Sequence, residues 1–342
     1  FYPCALHIKI VNYLPGWQTG FLATITPYIT TNCIASMNSF HLTSAQLQQY
    51  RSPGYVLLEQ ALPEALLTRW RSIADELEAK ANSEYANGIQ GRHYCIVEDP
   101  PGPRLMRYDD VYTQYPEAAL DLLCCPSMLA ICMQLCGLGV VPMQMDILYK
   151  QQHPHPVINW HQGAQHSRNY PYLNVGIYLD DAPAGDGCLR YVPDTQHRLE
   201  DIQTLSEQHG WEIPGVVEQP ARAGDILVQD MMILHGSQPK RSPGCRRTIY
   251  VELRPLEGIR ESDKQSPHWA ELRKQLMARV IERAKGVPQE WLEYYPVDER
   301  PLDALINELS ANPEPPIPAV WATFPVDHPE YPVPADLRNG KL

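Results

Sequence analysis

The sequence predicts a mainly β domain with flanking helices, built as a sandwich or barrel of short strands. Between residues 173 and 253, four short segments rich in β-branched, aromatic and leucine residues are separated by turns of Gly, Asp and Pro. Short strands divided by such turns are typical of β-sandwiches and barrels. Helical patterns precede and follow this region, so we expect helices to cover a β core.

The first elements of the predicted domain are two helices around a short strand. Thr43 is an N-cap candidate for a helix over residues 43–50, and an apolar strand over 55–58 follows a turn. The next helix has charges on one face and apolar residues on the other. Its apolar face consists of Leu66, Leu67, Trp70, Ile73, Ala74 and Leu77. Residues 91–113 are rich in Pro and Gly, and we expect them to be irregular.

The central elements continue this mixture of helices and strands. Residues 116–136 read as a helical region broken near Pro126, and residues 140–150 read as a strand. Four further strands are predicted, over 173–179, 188–192, 225–229 and 247–253.

The C-terminal part is predicted to be helical and then proline-rich. A helix after residue 255 is expected to stop at Gly286. Eight prolines between residues 313 and 334 exclude regular structure there. Trp321, Phe324 and Tyr331 indicate that this tail packs along the surface as an extended strap.

Composition excludes several classes of protein. The chain has 28 Lys and Arg residues against 40 Asp and Glu residues, a formal charge of −12, which disfavours nucleic acid and anionic membranes as partners. Nine cysteines in a chain this long argue against a disulfide framework, and Cys132 and Cys136 are interpreted as core thiols. We expect a cytoplasmic protein with a small-molecule substrate, and nothing in the sequence indicates a carrier protein as partner.

The first 41 residues are interpreted as an N-terminal extension. Pro15 and Pro27 interrupt its apolar stretch, so it reads as neither a signal peptide nor a membrane span. Met37 offers an alternative start, which would make residues 1–36 a non-native addition.

Two histidines are the strongest candidates for a metal site. His161 ends an apparent extended segment, and His235 follows the apolar strand pattern of residues 226–234. Two strands of a barrel can bring such distant residues together at one mouth. Imidazole suits Fe, Zn, Cu or Ni, and oxygenases with non-haem Fe(II) use two histidines and one carboxylate.

Four segments around these histidines occur in the order found in one known family. They are "WHQ" (160–162), "LNVGIYLDDAPAGDGCLRYVPDTQH" (173–197), "AGDILVQDMMILHGS" (223–237) and "HGSQPKRSPGCRR" (235–247). Together they resemble the phytanoyl-CoA dioxygenase-like family of Fe(II)/2-oxoglutarate oxygenases. The N-terminal segment 42–70 is similar as well, so the resemblance runs from about 42 to 254.

The resemblance implies a fold and a site. The fold is a double-stranded β-helix, a cupin-like jelly roll, over 42–254, with residues 255–342 as a C-terminal extension on the same domain. His161 and His235 would bind Fe(II), and Arg246 would grip the distal carboxylate of 2-oxoglutarate, because a guanidinium can meet a carboxylate with two parallel hydrogen bonds. Ser237 would add a hydroxyl to that cosubstrate, and Arg247 would point to the other face of its strand.

The sequence departs from the family at one position. The family's first motif is His-x-Asp, whereas this chain has Gly163 two residues after His161. The same replacement occurs in Fe(II)/2-oxoglutarate halogenases, where chloride takes the place of the carboxylate on iron. The resemblance therefore implies chlorination of an unactivated C–H through a chloro-Fe(IV)-oxo species formed with O₂, releasing succinate and CO₂, with the chloride beside Gly163.

Alternatives to a halogenase stay open on the sequence. Another residue could be the third ligand, which would make the enzyme a hydroxylase. The candidates are Asp180, Asp181, Asp186, Gln165 and His166. Gly163 could also be an engineered substitution in an ordinary hydroxylase. The chain could lastly be a non-catalytic binding module on the same fold.

The substrate pocket is predicted from the regions least similar to the family. Residues 86–113 contain His93, Tyr94 and Arg107, and His166 follows the first metal motif. Arginine and aromatic side chains would suit an anionic or ring-bearing small metabolite. A solvated loop is the alternative interpretation of the same residues.

Overall fold

Two antiparallel sheets form the centre of the molecule. The computed structural model describes residues 41–89, 91–163, 168–262, 264–313, 320–322 and 330–338. Its strands are β1 (Tyr55–Leu58), β2 (Tyr94–Asp99), β3 (Gly102–Tyr108), β4 (Val140–Gln151), β5 (Ile158–Gln162), β6 (Leu173–Tyr178), β7 (Leu189–Val192), β8 (Val217–Gln219), β9 (Ile226–Asp230), β10 (Leu234–Ser237), β11 (Cys245–Pro255) and β12 (Val320–Trp321).

Helices precede, interrupt and follow these strands. They are α1 (Ser44–Arg51), α2 (Glu64–Ala86), α3 (Pro116–Leu123), α4 (Pro126–Ile131), α5 (Ile202–His209), α6 (Leu256–Ser262), α7 (Pro267–Arg283), α8 (Gln289–Tyr294), α9 (Leu302–Ala311) and α10 (Ala335–Arg338). A 3₁₀ turn lies at Val111–Thr113, and a π-helical turn at Cys132–Cys136 extends α4. Among the described residues, no single helix is long and apolar enough to cross a membrane, although the bent pair 116–123 and 126–136 together meets the length and composition criteria.

The strand order is that of a double-stranded β-helix, as predicted. The larger sheet runs β1-β9-β6-β11-β4-β3-β2, and the smaller sheet runs β12-β5-β10-β7-β8. From β4 to β11 the chain passes back and forth between the two sheets, with only β7 and β8 consecutive in one of them. This winding brings the inner faces of the two sheets together around one cavity, which both sheets line.

The two faces of the larger sheet have different partners. In β11, Ile249, Val251 and Leu253 are fully buried in the main hydrophobic core, which also contains residues of α2 and α7. The alternate residues, among them Arg246 and Tyr250, line the cavity on the opposite face. A strand with period-2 side-chain alternation thus separates the core from the site.

Two of the predicted helical features are observed in detail. Thr43 caps α1 through a reciprocal capping box with Gln46. The apolar face of α2 is buried at every predicted position except Leu66, which is half-buried. Burial of a large apolar side chain contributes roughly 1.5–3 kcal/mol, so this face accounts for much of the attachment of α2 to the sheet.

The prediction that residues 91–113 are irregular is wrong. They form the hairpin β2–β3, which continues the larger sheet beside β4. Its prolines are confined to the turn after Asp99 and to Pro103 near the start of β3, where they interrupt little pairing. Leu105 and Tyr108 are buried, and the Tyr94 and Tyr108 rings lie 6.1 Å apart across the pair.

The proline-rich tail packs against the smaller sheet where the structure describes it. The short strand β12 pairs with β5, with Trp321 opposite His161. The buried Tyr331 ring lies 4.9 Å from that of Trp211, and its hydroxyl accepts a hydrogen bond from the Trp160 amide. Phe324 lies outside the described residues.

Candidate active site

The two predicted histidine ligands lie side by side on neighbouring strands. His161 on β5 and His235 on β10 are direct cross-strand partners, and their ring centroids are 3.9 Å apart. On either side of His161 in β5, Trp160 and Gln162 are buried away from the cavity, and the Gln162 amide binds backbone carbonyls of residues 195, 198 and 232. These contacts fix the strand so that His161 faces the other histidine.

Each histidine is held in one tautomer and in its neutral form. Nδ1 of His161 hydrogen-bonds the Asn159 carbonyl at 2.9 Å, and Nδ1 of His235 hydrogen-bonds the Ile233 carbonyl at 2.8 Å. A carbonyl accepts only, so Nδ1 carries the proton and Nε2 carries the lone pair. Burial lowers the pKa of His235 to about 4, and burial together with His235 lowers that of His161 well below its ordinary value. A neutral imidazole is the form that binds a metal.

Gly163 lies where the backbone of a neighbouring segment leaves no room for a side chain. Its amide donates to the Met231 carbonyl at 2.9 Å. A Cβ atom placed on Gly163 would lie 2.4 Å from that carbonyl oxygen and 2.4 Å from the Met231 Cγ. The direction in which a carboxylate side chain would leave residue 163 is therefore filled by Met231.

The three acidic residues considered as a replacement ligand are engaged elsewhere. Asp180 pairs with Arg247, Asp181 accepts from the Ala223 amide, and Asp186 accepts from the Arg241 and Ser242 amides. Within the described ranges, no group of three His, Cys, Asp or Glu residues could hold a metal ion. Gln165 and His166, the other two candidates, lie outside the described residues.

Ser237 and Arg246, the predicted cosubstrate residues, both line the cavity. Arg246 is 2 % exposed and donates to the Gly187 carbonyl at 2.6 Å. The Ser237 hydroxyl donates to the same carbonyl at 2.8 Å. The neighbouring Arg247 points to the opposite face of β11 and pairs with Asp180 and Asp75, as the predicted register requires.

A second buried cation, Lys150, was missed by the sequence prediction. It is the cross-strand partner of Arg246 on β4, is 3 % exposed, and donates to the Ser237 hydroxyl at 2.6 Å. Burial, reinforced by the Arg246 guanidinium, lowers its pKa well below the ordinary value. Lys150 lies two residues after the cavity-lining Leu148, so both side chains point to the same face of the strand. This was the only signal in the sequence, and it is weak because a lysine at a strand end is usually solvated.

These two cations have no carboxylate partner among the described residues. The hydrogen bonds of Arg246 and Lys150 go to backbone carbonyls and one hydroxyl, and the buried Nε of Arg246 has no acceptor in the described part of the chain. A buried charge without a counter-charge is unfavourable. The part of the cavity beside Arg246 and Ser237 is therefore suited to an anionic ligand, and a carboxylate of 2-oxoglutarate fits this requirement.

The cavity connects the histidine pair to this cationic end. It encloses about 130 Å³ and is lined from both sheets by Leu148, Ile158, His161, Asn174, Leu189, Gln229, His235, Ser237, Arg246 and Tyr250. Asn174 and Gln229 are cross-strand partners on β6 and β9. Neither carboxamide was singled out from the sequence, because an amide in a strand has no motif that separates it from a solvated polar residue.

The predicted substrate residues lie outside this lining. Tyr94 packs on Tyr108 and donates to the Ile89 carbonyl, and His93 lies beside Arg92. Arg107 pairs with Asp109, although its backbone is the partner of cavity-lining Leu148. His166 lies outside the described residues. Their role in substrate binding stays a prediction.

Comparison with known proteins gives matches to one family of oxygenases. The family described as phytanoyl-CoA dioxygenase matches residues 50–248. The methylphosphonate hydroxylase of Gimesia maris is 23% identical over 247 residues, which are 68% of this chain and 87% of that protein.

Solved structures agree on the fold. AviO1 from Streptomyces viridochromogenes is 25% identical with a TM-score of 0.52, covering 63% of this chain and 96% of that one. HygX from Streptomyces hygroscopicus, with nickel and 2-oxoglutarate bound, is 16% identical with a TM-score of 0.51, covering 63% of this chain and 88% of that one.

Proposed function

Because this chain belongs to the phytanoyl-CoA dioxygenase family of Fe(II)/2-oxoglutarate oxygenases, we propose that it hydroxylates a C–H bond of a small molecule. The metal would be held by His161 and His235, whose neutral rings face the cavity from adjacent strands. 2-Oxoglutarate would be held at the cationic end, by Arg246 and Lys150 together with Ser237.

Each residue around the proposed site would have a separate role in binding, orientation or exclusion of water. Iron, when bound, supplies the activation of O₂ at the expense of 2-oxoglutarate, which is released as succinate and CO₂. The backbone carbonyls of Asn159 and Ile233 orient the two imidazoles towards the metal. Arg246 and Lys150 neutralise the cosubstrate carboxylate and fix its distance from the histidines, while Leu148, Ile158 and Leu189 exclude water from that space.

One observation favours hydroxylation over chlorination. The Met231 carbonyl oxygen occupies the space into which a side chain of residue 163 would project. A halide in the space directly beside the Gly163 Cα would meet the negative end of this carbonyl dipole. The packing of Met231 therefore explains the glycine at position 163 without chloride. Hydroxylation also agrees with the name of the Gimesia maris relative.

Chlorination is the second candidate, and a different observation favours it. Among the described residues, the two histidines have no carboxylate in reach, and the cavity is lined by one cationic side chain, Arg246, with Lys150 bound to Ser237 beside it. An additional anion on the metal would improve this charge balance. A halide would then bind on the open side of the cavity and not in the Cβ direction of Gly163.

An anaerobic crystal with Fe(II), 2-oxoglutarate and bromide separates the two outcomes. Hydroxylation predicts no anomalous bromide peak at bonding distance from the iron, and succinate formation at an unchanged rate in chloride-free buffer. A bromide bound to iron, with turnover that requires chloride, would establish halogenation. Absence of succinate under both conditions, with iron and 2-oxoglutarate bound, would leave a binding module.

A further inference from the structure

The missing carboxylate leaves the question of which side chain completes the metal site. The Gln229 side chain, 2 % exposed, lines the cavity beside His235. Its Nε2 lies 3.1 Å from the His235 Nε2, the ring atom that carries the lone pair. Gln229 is therefore in direct contact with the atom that would bind the metal.

The far side of the Gln229 amide is fixed by an aromatic cluster. The Tyr191 hydroxyl donates to Gln229 Oε1, and the Tyr191 ring is fully buried. Tyr191 stacks on Tyr55 with ring centroids 4.5 Å apart, and Tyr55 is the cross-strand partner of Gln229 on β1. The terminal amide of Gln229 is consequently held at one place in the cavity.

This amide can present its oxygen to His235 by turning about its terminal bond, while the rest of the side chain stays in place. The two ends of a carboxamide are nearly the same size, and a tyrosine hydroxyl can either donate or accept. With the amide turned by 180°, Oε1 faces His235 and Nε2 donates to Tyr191. In the observed orientation, Nε2 of Gln229 donates to the lone pair of His235.

The separation of the two atoms is a hydrogen-bond distance that is also compatible with two neighbouring ligands on one metal. Ligands about 2.1 Å from a metal and at right angles to each other are about 3 Å apart. The 3.1 Å between the ends of Gln229 and His235 agrees with this distance. Amide oxygen is an accepted ligand for divalent cations, although it is weaker than carboxylate because it carries no charge.

We infer that Gln229 supplies the third protein ligand of the iron through Oε1, in place of the carboxylate that Gly163 does not provide. The inference rests on the proposed function, since it needs a metal at the histidine pair. It also accounts for Gly163, because residue 163 is then free to pack against Met231. Because an amide is neutral, the metal site with Gln229 as ligand carries one more positive charge than a site of two histidines and one carboxylate.

The test is anaerobic titration with Co(II), which reports binding through its visible absorption without catalysis. We expect Gln229→Leu to weaken Co(II) binding at least about tenfold and to change the spectrum, since a ligand is lost. Gln229→Glu keeps the shape of the side chain and should bind at least about tenfold more tightly. Gln219→Leu removes a carboxamide that lies outside the cavity, on β8, and should leave affinity and spectrum unchanged.

The controls separate this inference from the proposed function. His161→Ala should abolish binding, and circular dichroism of each metal-free variant checks that it is folded. Wild-type affinity and spectrum in Gln229→Leu, with loss of binding in His161→Ala, would overturn the role of Gln229 and leave the metal site in place. Failure of the wild-type protein to bind Co(II) or Fe(II) would overturn the proposed function itself.

Discussion

The two ends of the cavity differ in charge: the side chains at one end are neutral, and those at the other are cationic. At the metal end, burial keeps His161 and His235 neutral, and the adjoining polar group, Gln229, is neutral as well. At the other end, Arg246 and Lys150 are buried together without a carboxylate in the described part of the chain. Among the described residues, the metal end thus offers no anionic ligand to a metal cation. The other end offers no counter-charge to Arg246 and Lys150.

This difference indicates how the site is completed. Unpaired buried cations are unfavourable in the empty protein, so a dianionic cosubstrate contributes counter-charge as well as chemistry. The metal end needs no charge of its own, because neutral imidazoles are its binding form. We therefore expect cosubstrate binding to depend strongly on the charges of Arg246 and Lys150, and metal binding to depend both on the number of ligand atoms and on the charge of the third ligand.

Arg246→Met should have the largest effect on cosubstrate binding. Removing one partner of a buried hydrogen-bonded charge pair costs about 2–5 kcal/mol, so the affinity for 2-oxoglutarate should fall roughly thirtyfold or more. Calorimetric titration of the Mn(II)-loaded, anaerobic protein with 2-oxoglutarate measures this change.

Arg247→Met is the matched control, since its side chain points to the other face of β11 and pairs with Asp180. It should leave the affinity for 2-oxoglutarate unchanged. A larger loss in Arg247→Met than in Arg246→Met would show that the cosubstrate lies elsewhere.

Lys150→Met should weaken 2-oxoglutarate binding and stabilise the ligand-free protein. Replacing a buried, unpaired charge by an apolar side chain of similar length is worth about 1–4 kcal/mol of folding stability. The pKa of Lys150 is lowered by burial and by Arg246, against weaker raising effects of Cys188 and Asp186. Urea unfolding of the ligand-free proteins measures the gain.

The pH dependence of this gain is a second check on Lys150. A lysine with a lowered pKa in the folded state binds fewer protons than in the unfolded state, so the contribution of Lys150 to stability rises as the pH increases from its folded pKa towards about 10.4. The advantage of Lys150→Met should therefore shrink as the pH rises towards that value. A gain that is constant with pH would mean that Lys150 is paired in the ligand-free protein.

The sequence was sufficient for the fold and for four of the ten residues that line the cavity. Motif spacing placed His161, His235, Ser237 and Arg246 around one cavity, because each lies at a fixed position on a strand whose partners are set by the fold. The same alternation predicted that Arg247 would face away from it. The first four residues were identified through the resemblance to the family, whereas the orientation of Arg247 depends on strand parity, which a single sequence carries clearly.

Other features depend on tertiary contacts that no local pattern encodes. Lys150 lies in the site because β4 pairs with β11, and Gln229 because β9 pairs with β1 and β6. Met231 and Gly163 are far apart in the chain but pack against each other. The sequence therefore showed that residue 163 has no side chain, but not that Met231 occupies the space where a side chain would lie. The β2–β3 hairpin was missed because its prolines resemble those of a loop until the pairing is known.

Gly163→Ala gives the smallest expected effect and tests the tight packing at the metal end. The added methyl would meet the Met231 carbonyl oxygen and Cγ, both at 2.4 Å, so overpacking should lower the free energy of unfolding by about 1–3 kcal/mol. In a Met231→Ala background only the Cγ contact is relieved, and part of the loss should persist because the carbonyl remains.

By the same packing, Gly163→Asp should not create a carboxylate ligand, so its affinity for Co(II) should not exceed that of the wild type. Wild-type stability in Gly163→Ala, with tighter Co(II) binding in Gly163→Asp, would mean that the space beside Gly163 is open, and chloride on the iron would then become the better explanation of this glycine.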